Sequence, residues 1–246
     1  MRGWVSIVGA GPGDPELLTL KGRRLLSEAD AVVYDRLVAP EIVGLARPEA
    51  ERIDAGKQPG GKAMAQADID ALLVRLAREG KRVVRLKGGD PMVFGRTSSE
   101  LEALVGAGIP FEIVPGVTSA IAAPAYAGIP VTDRRFASAV AFVTATREDG
   151  APTALDWSAL ARMPTLIVLM GAVRLEDTVR TLLQHGAPAN RPAAAIEWAT
   201  TSRQRVVHAC LADLSRAVQD RGLGAPLTIV VGDVAALGER YAWFKP

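Results

Sequence analysis

Short apolar runs alternate with longer amphipathic stretches through the first half of the chain. The runs are rich in Val, Ile and Leu, which predicts buried strands, and the longer stretches have the spacing of helices. The predicted strands are residues 4–8, 31–34, 83–86 and 111–114, and the predicted helices are residues 15–28, 67–79 and 99–107. Strands that alternate with helices in this way are typical of a parallel sheet with helices on its faces.

The pattern changes in the second half, where apolar runs follow one another more closely. The predicted strands are residues 140–144, 165–170, 193–197, 205–208 and 227–231, and the predicted helices are residues 175–185 and 211–219. A short loop between Ile196 and Val206 favours an antiparallel hairpin and therefore a mixed sheet. We place a boundary near Pro115, so the sequence predicts two α/β domains, residues 1–115 with a mainly parallel sheet and residues 116–246 with a mixed sheet.

One stretch has the length of a membrane span but not its composition. Residues 113–132 carry no charge, yet they include three prolines and two glycines and are mostly small side chains. A membrane-spanning helix is richer in Leu, Ile and Phe. We therefore predict a buried loop, helix and loop between the two domains, and no membrane association.

The composition narrows the function classes. The chain has 246 residues, 49% hydrophobic and 23% charged, with a net charge of +2, which predicts a soluble globular protein that does not bind nucleic acid. Cys210 is the single cysteine, so an internal disulfide is excluded, and the first residues do not form a secretion signal. We expect a cytoplasmic protein.

The chain has two histidines. A metal site made of several histidines, or a Ser-His triad, is therefore not expected, and no metal is predicted.

Two glycine-rich segments give the strongest indication of a ligand site. Residues 9–15 and residues 87–91 each follow a predicted strand, and each ends in Asp-Pro before helix-like sequence. Backbone without side chains at the carboxyl ends of parallel strands leaves room for a ligand in the crevice beyond the sheet. We expect the ligand there.

A dinucleotide-binding fingerprint is the nearest alternative, and it would make the chain a NAD-dependent oxidoreductase. Gly9 and Gly11 match its first two glycines, and Asp35 imitates the carboxylate that binds the ribose. However, Asp14 stands where the third glycine allows close packing of helix on sheet, and Pro12 stiffens the turn. These two departures argue against a dinucleotide.

A second imitation is a phosphate-binding loop at residues 56–63. It fails because Ala63 stands where a Ser or Thr must bind Mg²⁺. The preceding residues 52–55 are a poor strand, so we predict a flexible loop here.

Four longer motifs identify the family that the chain resembles. They are residues 8–22, 34–38, 84–91 and 114–120. Together they resemble the uroporphyrinogen-III C-methyltransferases of the tetrapyrrole methyltransferase family, over nearly the whole chain. The resemblance implies a fold of two α/β domains with the active-site cleft between them. It also implies transfer of two methyl groups from S-adenosylmethionine to C-2 and C-7 of uroporphyrinogen III, giving precorrin-2 for siroheme, cobalamin or heme d1.

The same resemblance implies the residues of the site. Asp35, Lys57 and Arg96 are expected to be catalytic, with acid–base duties on Asp35 and Lys57. Arg36, Arg96 and Arg134 are expected to bind the carboxylates of the tetrapyrrole, for which guanidinium groups are well suited. The expected contacts of S-adenosylmethionine are Pro12, Gly88, Gly89, Asp90, Val93, Thr118, Ser119, Met170, Ala199 and Thr228. The family further implies a homodimer.

Asp90 also has a physical reason to contact the cofactor. A carboxylate at a strand end can accept hydrogen bonds from the polar groups of a ligand. The alternative is that Asp90 only caps the next helix.

Several positions depart from the residues that the family usually has, in residues 97–99, 133–136, 145–146 and 198–199. Ser99 replaces a glutamate, and Asp133 and Thr146 replace histidines. Because these positions are expected to face the cleft, the departures leave the cofactor prediction intact but open two alternatives. One is a related methyltransferase that acts on another precorrin-type tetrapyrrole. The other is a protein that binds the cofactor without turnover.

Overall fold

The structure, a computed structural model, describes residues 3–56, 64–145 and 155–246. The chain forms two compact units, Met1–Thr118 and Ser119–Pro246. Each unit has its own sheet and its own hydrophobic core.

The first unit is built on a five-stranded sheet. Its strands are β1 (Trp4–Gly9), β2 (Ala31–Tyr34), β3 (Glu51–Asp54), β4 (Arg82–Lys87) and β5 (Phe111–Val114). They lie in the order β3-β2-β4-β1-β5, and all neighbours are parallel. Gly9 lies opposite Lys87. The carboxyl ends of the strands therefore meet at one edge of the sheet, where the glycine-rich loops begin.

The edge strand β3 corrects the prediction for residues 52–55, which the sequence marks as a poor strand. Three of its four residues are charged, so no apolar run reveals it. It nevertheless pairs with β2, with Glu51 opposite Ala31. An edge strand needs a backbone partner on one side only, and charge on such a strand is well tolerated.

Helices cover both faces of this sheet. They are α1 (Leu20–Glu28), α2 (Pro40–Val43), α3 (Gln66–Arg78) and α4 (Thr97–Gly106). On one face Val8 packs in a cluster with Leu26 of α1. On the other face Ile7 packs in a cluster with Leu73 of α3 and Leu104 of α4. Neighbouring strand residues thus serve opposite layers, as expected for a sheet that is buried on both sides.

Residues 15–28 form two helices where the sequence predicts one. Pro15–Leu17 is a turn of 3-10 helix, and α1 begins only at Leu20, after two residues with extended backbone. The break has a local cause, because the Thr19 hydroxyl accepts a hydrogen bond from the Gly22 N–H at 3.1 Å. Thr19 is therefore the N-cap of a new helix that begins at Leu20.

The second unit has a five-stranded mixed sheet. Its strands are β6 (Val140–Thr144), β7 (Thr165–Leu169), β8 (Pro192–Glu197), β9 (Arg205–Cys210) and β10 (Leu227–Val231). They lie in the order β6-β7-β10-β8-β9, with β6 and β7 parallel and the other neighbours antiparallel. The predicted hairpin is confirmed, because β8 and β9 are antiparallel and Ile196 lies opposite Val206.

Helices pack on this second sheet as well. They are α5 (Ser119–Tyr126), α6 (Trp157–Ala161), α7 (Leu175–Gln184), α8 (Leu214–Asp220) and α9 (Gly238–Tyr241), with 3-10 helices at Leu211–Asp213 and Asp233–Leu237. Leu182 of α7 and Leu214 of α8 join Val168 and Ile229 in one buried cluster. Among the helices in the described part of the chain, none combines the length and apolar character needed to cross a membrane.

Candidate functional site

The two glycine-rich loops of the first unit lie side by side at the carboxyl edge of its sheet. The Gly11 N–H donates to the Gly89 carbonyl at 3.1 Å, and the Gly89 N–H donates to the Gly11 carbonyl at 2.7 Å. Both residues have left-handed backbone, with φ of 79° and 66°, which glycine adopts without strain. Main-chain atoms therefore fix the loops after β1 and β4 to each other.

A third loop, after β5, joins them through Gly116. A Cβ on Gly9 would lie 2.6 Å from the Gly116 Cα and 2.7 Å from the Gly89 carbonyl oxygen, and a Cβ on Gly116 would overlap that same oxygen. Only glycine fits where backbone meets backbone so closely. Gly88 differs, since a Cβ there would have no heavy atom within 4 Å. It borders open space in which a ligand can lie against bare backbone.

Asp90 connects the second and third loops through its carboxylate. Oδ1 accepts the Met92 N–H at 2.8 Å, and Oδ2 accepts the Gly116 N–H at 2.9 Å. The helix-cap alternative is wrong, because α4 begins at Thr97 with Arg96 in the N-cap position. Asp90 instead shapes the loops that are expected to contact the cofactor.

The segment between Asp90 and α4 consists of turns and bends. Phe94 and Arg96 have φ of 53° and 55°, a conformation that is uncommon for residues with side chains and that clusters at functional sites. Between them, a Cβ on Gly95 would overlap the Pro91 carbonyl oxygen. Arg96, expected at the substrate, is exposed on this segment.

Asp35 and Arg36 follow β2 at the same edge of the sheet. The Asp35 N–H donates to the Leu86 carbonyl at 3.2 Å, and its carboxylate accepts a hydrogen bond from Arg85 Nη2 at 2.5 Å. The Asp35 side chain is 36% exposed and the Arg85 side chain 2%. The buried Arg85 guanidinium therefore holds the Asp35 carboxylate, which is partly exposed at the surface. Arg36 beside it is exposed.

Arg85 belongs to a buried group of charges that sequence analysis missed. Its Nε donates to Glu100 Oε1 at 2.7 Å, and Lys87 Nζ donates to both Glu100 oxygens at 2.9 and 3.0 Å. A signal was present in β4, where Arg85 and Lys87 are two residues apart in an apolar strand and so share one face of the sheet. Charged side chains there require partners, because burying an unpaired charge is costly.

Burial and pairing together set the pKa values in this group. Burial lowers the pKa of Arg85, but the carboxylates of Asp35 and Glu100 raise it by more, so the net shift is upward. The pKa of Lys87 is lowered, first by burial and then by the Arg85 cation, which together outweigh the Glu100 carboxylate. Arg85 thus stays charged, and Lys87 holds its proton less firmly than an exposed lysine does.

Lys57, expected to share the acid–base duties, lies outside the described residues, as does the rest of the loop predicted over residues 56–63 after Gly56. The residue before it, Gly56, packs closely on Arg36, since a Cβ on Gly56 would lie 2.8 Å from the Arg36 backbone nitrogen. The described chain therefore runs beside Arg36 up to this point.

In the second unit, Met170, Ala199 and Thr228 lie at one edge of the sheet. β7 and β8 are both antiparallel to β10, so their carboxyl ends meet the start of β10, which contains Thr228. Met170 follows β7 with φ of 53°, and Trp198 and Thr200, on either side of Ala199, have φ of 46° and 67°. Left-handed backbone at non-glycine residues is again concentrated where ligand contacts are expected.

Arg134 lies in a turn that is closed by an isolated bridge between Asp133 and Ala137. Its own side chain is exposed. Asp133 accepts hydrogen bonds from the Arg135 backbone N–H at 2.8 Å and from Arg135 Nε and Nη2 at 2.9 Å each. The side-chain and backbone bonds from Arg135 lower the pKa of Asp133 to about 2. Asp133 is thus engaged with its neighbour.

Ser99 is engaged between two helices of the first unit. Its hydroxyl donates to Asp70 Oδ2 at 2.5 Å, and Gln66 Nε2 donates to Asp70 Oδ1 at 2.8 Å. This contact joins α4 to α3, a packing role that the sequence does not reveal. Thr146, another of the departures, lies outside the described residues.

The three loops of the first unit collect most of the expected cofactor contacts. They contain Pro12, Gly88, Gly89, Asp90, Val93 and Thr118, and Ser119 begins α5 of the second unit. In the ranges that the structure covers, no group of three or more His, Cys, Asp or Glu side chains is arranged to hold a metal ion.

Comparison with known proteins places this geometry in a family. The family described as tetrapyrrole (corrin/porphyrin) methylases matches residues 5–215. The siroheme synthase of Methylococcus capsulatus is 50% identical over 244 residues, which are 99% of this chain and 52% of that protein. The siroheme synthase of Nitrosospira multiformis is 50% identical over 247 residues, covering 100% of this chain and 52% of that protein. The chain thus spans about half the length of the curated relatives it matches.

Solved structures give the same result. The uroporphyrin-III C-methyl transferase from Thermus thermophilus, complexed with S-adenyl homocysteine, has a TM-score of 0.83 and 41% identity, covering 96% of this chain and 100% of that chain. A cobalt precorrin-4 methyltransferase has a TM-score of 0.85 and 29% identity, covering 94% and 95%. These similarities confirm the predicted α/β fold class. The chain belongs to the tetrapyrrole (corrin/porphyrin) methylase family.

Proposed function

We propose that the chain is an S-adenosylmethionine-dependent methyltransferase that methylates uroporphyrinogen III at C-2 and C-7 to give precorrin-2. The observation that carries this proposal is the likeness to the Thermus uroporphyrin-III C-methyl transferase, whose whole length this chain covers. The relatives named siroheme synthase support it, and the chain would carry out the methylation part of their work. Membership in a methylase family also sets aside the NAD-dependent oxidoreductase.

The loops of the first unit support the cofactor part of the proposal. Gly88 offers bare backbone beside open space, and the bridge between Gly11 and Gly89 fixes this surface before a ligand arrives. A preformed surface reduces the ordering cost of binding. The proposed contacts of the cofactor on the first unit are Pro12, Gly88, Gly89, Asp90, Val93 and Thr118. For the second unit, Ser119, Met170, Ala199 and Thr228 remain predictions.

S-adenosylmethionine, when bound, supplies a methyl group that passes from its sulfonium sulfur to an electron-rich pyrrole carbon. The chain needs no nucleophile of its own for this reaction, so its residues align the reactants and move protons. Asp35 is our candidate for the acceptor of the proton that the tetrapyrrole releases, because its carboxylate is partly exposed and held by Arg85. Lys57 is proposed as its acid–base partner.

Arginines are proposed to hold the carboxylates of the tetrapyrrole. Arg36 and Arg96 are exposed and follow strands whose carboxyl ends share one edge with Asp35. A planar guanidinium binds a carboxylate through two parallel hydrogen bonds, which orients the substrate as well as attracting it. Arg134 of the second unit is proposed for the same task.

We also propose that the protein is a homodimer and that it is located in the cytoplasm. A homodimer follows from the family resemblance, and size-exclusion chromatography with light scattering tests it. A cytoplasmic location follows from the single cysteine, Cys210, because proteins of oxidising compartments more often carry paired cysteines.

A related methyltransferase acting on another precorrin is the second candidate. It is favoured by the fold similarity to the cobalt precorrin-4 methyltransferase, although the sequence identity to that enzyme is lower. The departures at Ser99, Asp133 and Thr146 keep this candidate open.

Anaerobic incubation with S-adenosylmethionine and fresh uroporphyrinogen III, followed by mass spectrometry, tests the proposal. We expect a product that has gained two methyl groups, and none when S-adenosylmethionine is omitted. Methylation of another precorrin but not of uroporphyrinogen III would favour the second candidate. Tight binding of S-adenosylhomocysteine without methylation of any tetrapyrrole would indicate a binding protein.

A further inference from the structure

The buried charges beneath the loops form a chain that leads to the surface. Lys87 contacts Glu100, Glu100 contacts Arg85, and Arg85 contacts Asp35. The side chains of Arg85, Lys87 and Glu100 are 2%, 4% and 0% exposed, whereas that of Asp35 is 36% exposed. Of these four groups, Asp35 is therefore the one that a substrate can reach.

Arg85 is fixed in orientation because each nitrogen of its guanidinium group has a partner. Nε donates to Glu100 at 2.7 Å and Nη2 to Asp35 at 2.5 Å, while Nη1 contacts the carbonyls of Val33 at 3.5 Å and Leu86 at 3.4 Å. A planar guanidinium held in this way cannot turn without losing hydrogen bonds. The position of Asp35 Oδ1 is defined in consequence.

Lys87 and Glu100 complete the charge balance of the group. Glu100 lies in the first turn of α4, where the helix dipole stabilises a negative charge. Two cations and two anions then neutralise one another inside the unit. Because apolar residues often replace a buried ion pair without loss of stability, stability by itself is a weak reason for this arrangement.

We infer that Arg85 is a positioning residue for Asp35 and that Glu100 holds Arg85 in place for that task. The inference rests on the proposed function, in which the Asp35 carboxylate accepts a proton from the tetrapyrrole. Arg85 is too deeply buried to touch a substrate, so its effect passes through Asp35. Misplacing a reacting group by 1 Å can cost on the order of 10²-fold in rate.

Methylation kinetics with uroporphyrinogen III test the inference in the wild type, Arg85→Lys, Asp35→Asn and the double variant. Lysine keeps the charge but cannot bridge Glu100 and Asp35, so Arg85→Lys should lower kcat by about 10²-fold. KM for the tetrapyrrole and the affinity for S-adenosylhomocysteine should not change. Asp35→Asn should lower kcat by about 10²–10⁴-fold. The double variant should be no slower than Asp35→Asn alone.

Arg82→Lys is the matched control on the same strand. Arg82 is 55% exposed and pairs with Asp30 at 3.3 Å, so this variant should keep the kcat of the wild type. Thermal melting shows whether Arg85→Lys is folded at the assay temperature. Glu100→Gln is the second variant, since it keeps the side-chain shape, removes the charge and should lower kcat without changing KM.

The inference is overturned if folded Arg85→Lys or Glu100→Gln keeps the wild-type kcat, because these residues would then only stabilise the fold. It is also overturned if the rate losses of Arg85→Lys and Asp35→Asn multiply in the double variant. In either case an active wild type leaves the proposed function intact. A wild type that forms no methylated product instead contradicts the proposed function, and the inference with it.

Discussion

At the scale of single residues, the loops of the first unit show that neighbouring glycines can serve different purposes. Gly9, Gly89 and Gly116 meet backbone to backbone, so a side chain at Gly9 or Gly116 has no room. Gly88 is next to Gly89 but lies under no such constraint, because a Cβ there meets no heavy atom within 4 Å. Close packing explains the first group, whereas the open space at Gly88 fits the proposed contact with the cofactor.

Substitutions at Gly116 and Gly88 should therefore have opposite effects. Gly116→Ala forces a Cβ into the Gly89 carbonyl and should lower the free energy of unfolding by about 1–3 kcal/mol or more, measured by urea denaturation. Gly88→Ala should leave that free energy nearly unchanged and weaken the binding of S-adenosylhomocysteine, measured by calorimetry. Equal destabilisation by both substitutions, or unchanged affinity in Gly88→Ala, would contradict this explanation.

Asp133 should titrate at an unusually low pH. Its hydrogen bonds with Arg135 lower its pKa from 3.8 to about 2. Since the pKa is lowered in the folded state, the stability gained from this pair is present above the unfolded value and is lost as the pH falls through about 2. NMR of the side-chain carboxyl carbon measures the titration, and Arg135→Gln should return it towards 3.8. A wild-type midpoint near 3.8 would show that the pair does not form in solution.

Individual site residues differ in how far the sequence can predict them. Gly89 and Asp90 belong to a motif whose composition already indicates a ligand, and the structure places them in the loops at the end of β4. Arg85 and Glu100 could not be paired in advance, because their contact depends on how α4 packs on β4. A local pattern can mark a buried charge as needing a partner, but it does not say which residue the partner is.

At the scale of elements, apolar content decides how well a strand can be predicted. The runs that became β2, β5, β6 and β10 match the observed bounds, because each is a mainly apolar run, even though β5 and β6 lie at the edges of their sheets. The edge strand β3 escapes prediction, since it forms through pairing with β2 and not through its own composition. Helix breaks are also hard to foresee, as the cap at Thr19 shows.

The packing of α3 on the first sheet should be a major source of stability. Leu73 is 0% exposed in the cluster beneath the sheet, so Leu73→Ala should lower the free energy of unfolding by about 2–5 kcal/mol. Arg75→Ala on the exposed side of the same helix is the control and should change it little, because its pair with Glu79 is a surface ion pair. Urea denaturation compares the two variants. A small effect of Leu73→Ala would mean that the sheet and α3 repack freely.

At the scale of the whole molecule, a ligand that binds only the folded chain must stabilise it. The proposed function names that ligand as S-adenosylmethionine, and its demethylated product is a stable substitute. NAD, the cofactor of the alternative, also requires a glycine-rich loop. The loop that binds NAD has a third glycine where this chain has Asp14, and Pro12 stiffens the turn here.

Thermal unfolding with each ligand should therefore separate the two. S-adenosylhomocysteine at a concentration of about 100 times its Kd should stabilise the chain by about 2.7 kcal/mol and raise Tm, whereas NAD or NADH should have no effect. Replicate melting curves across a ligand series provide the measurement. A rise in Tm with NADH and none with S-adenosylhomocysteine would contradict the assignment of the cofactor.

The bridge between Gly11 and Gly89 has a consequence for how such a protein can change. The two hydrogen bonds of the bridge join main-chain atoms only, so they do not use the side chains of the exposed residues nearby. Exposed residues beside it, such as Met92 and Phe94, can be exchanged while the bridge persists. If the proposed function holds, an engineer who wants a new methyl acceptor should vary those side chains and leave the glycines untouched.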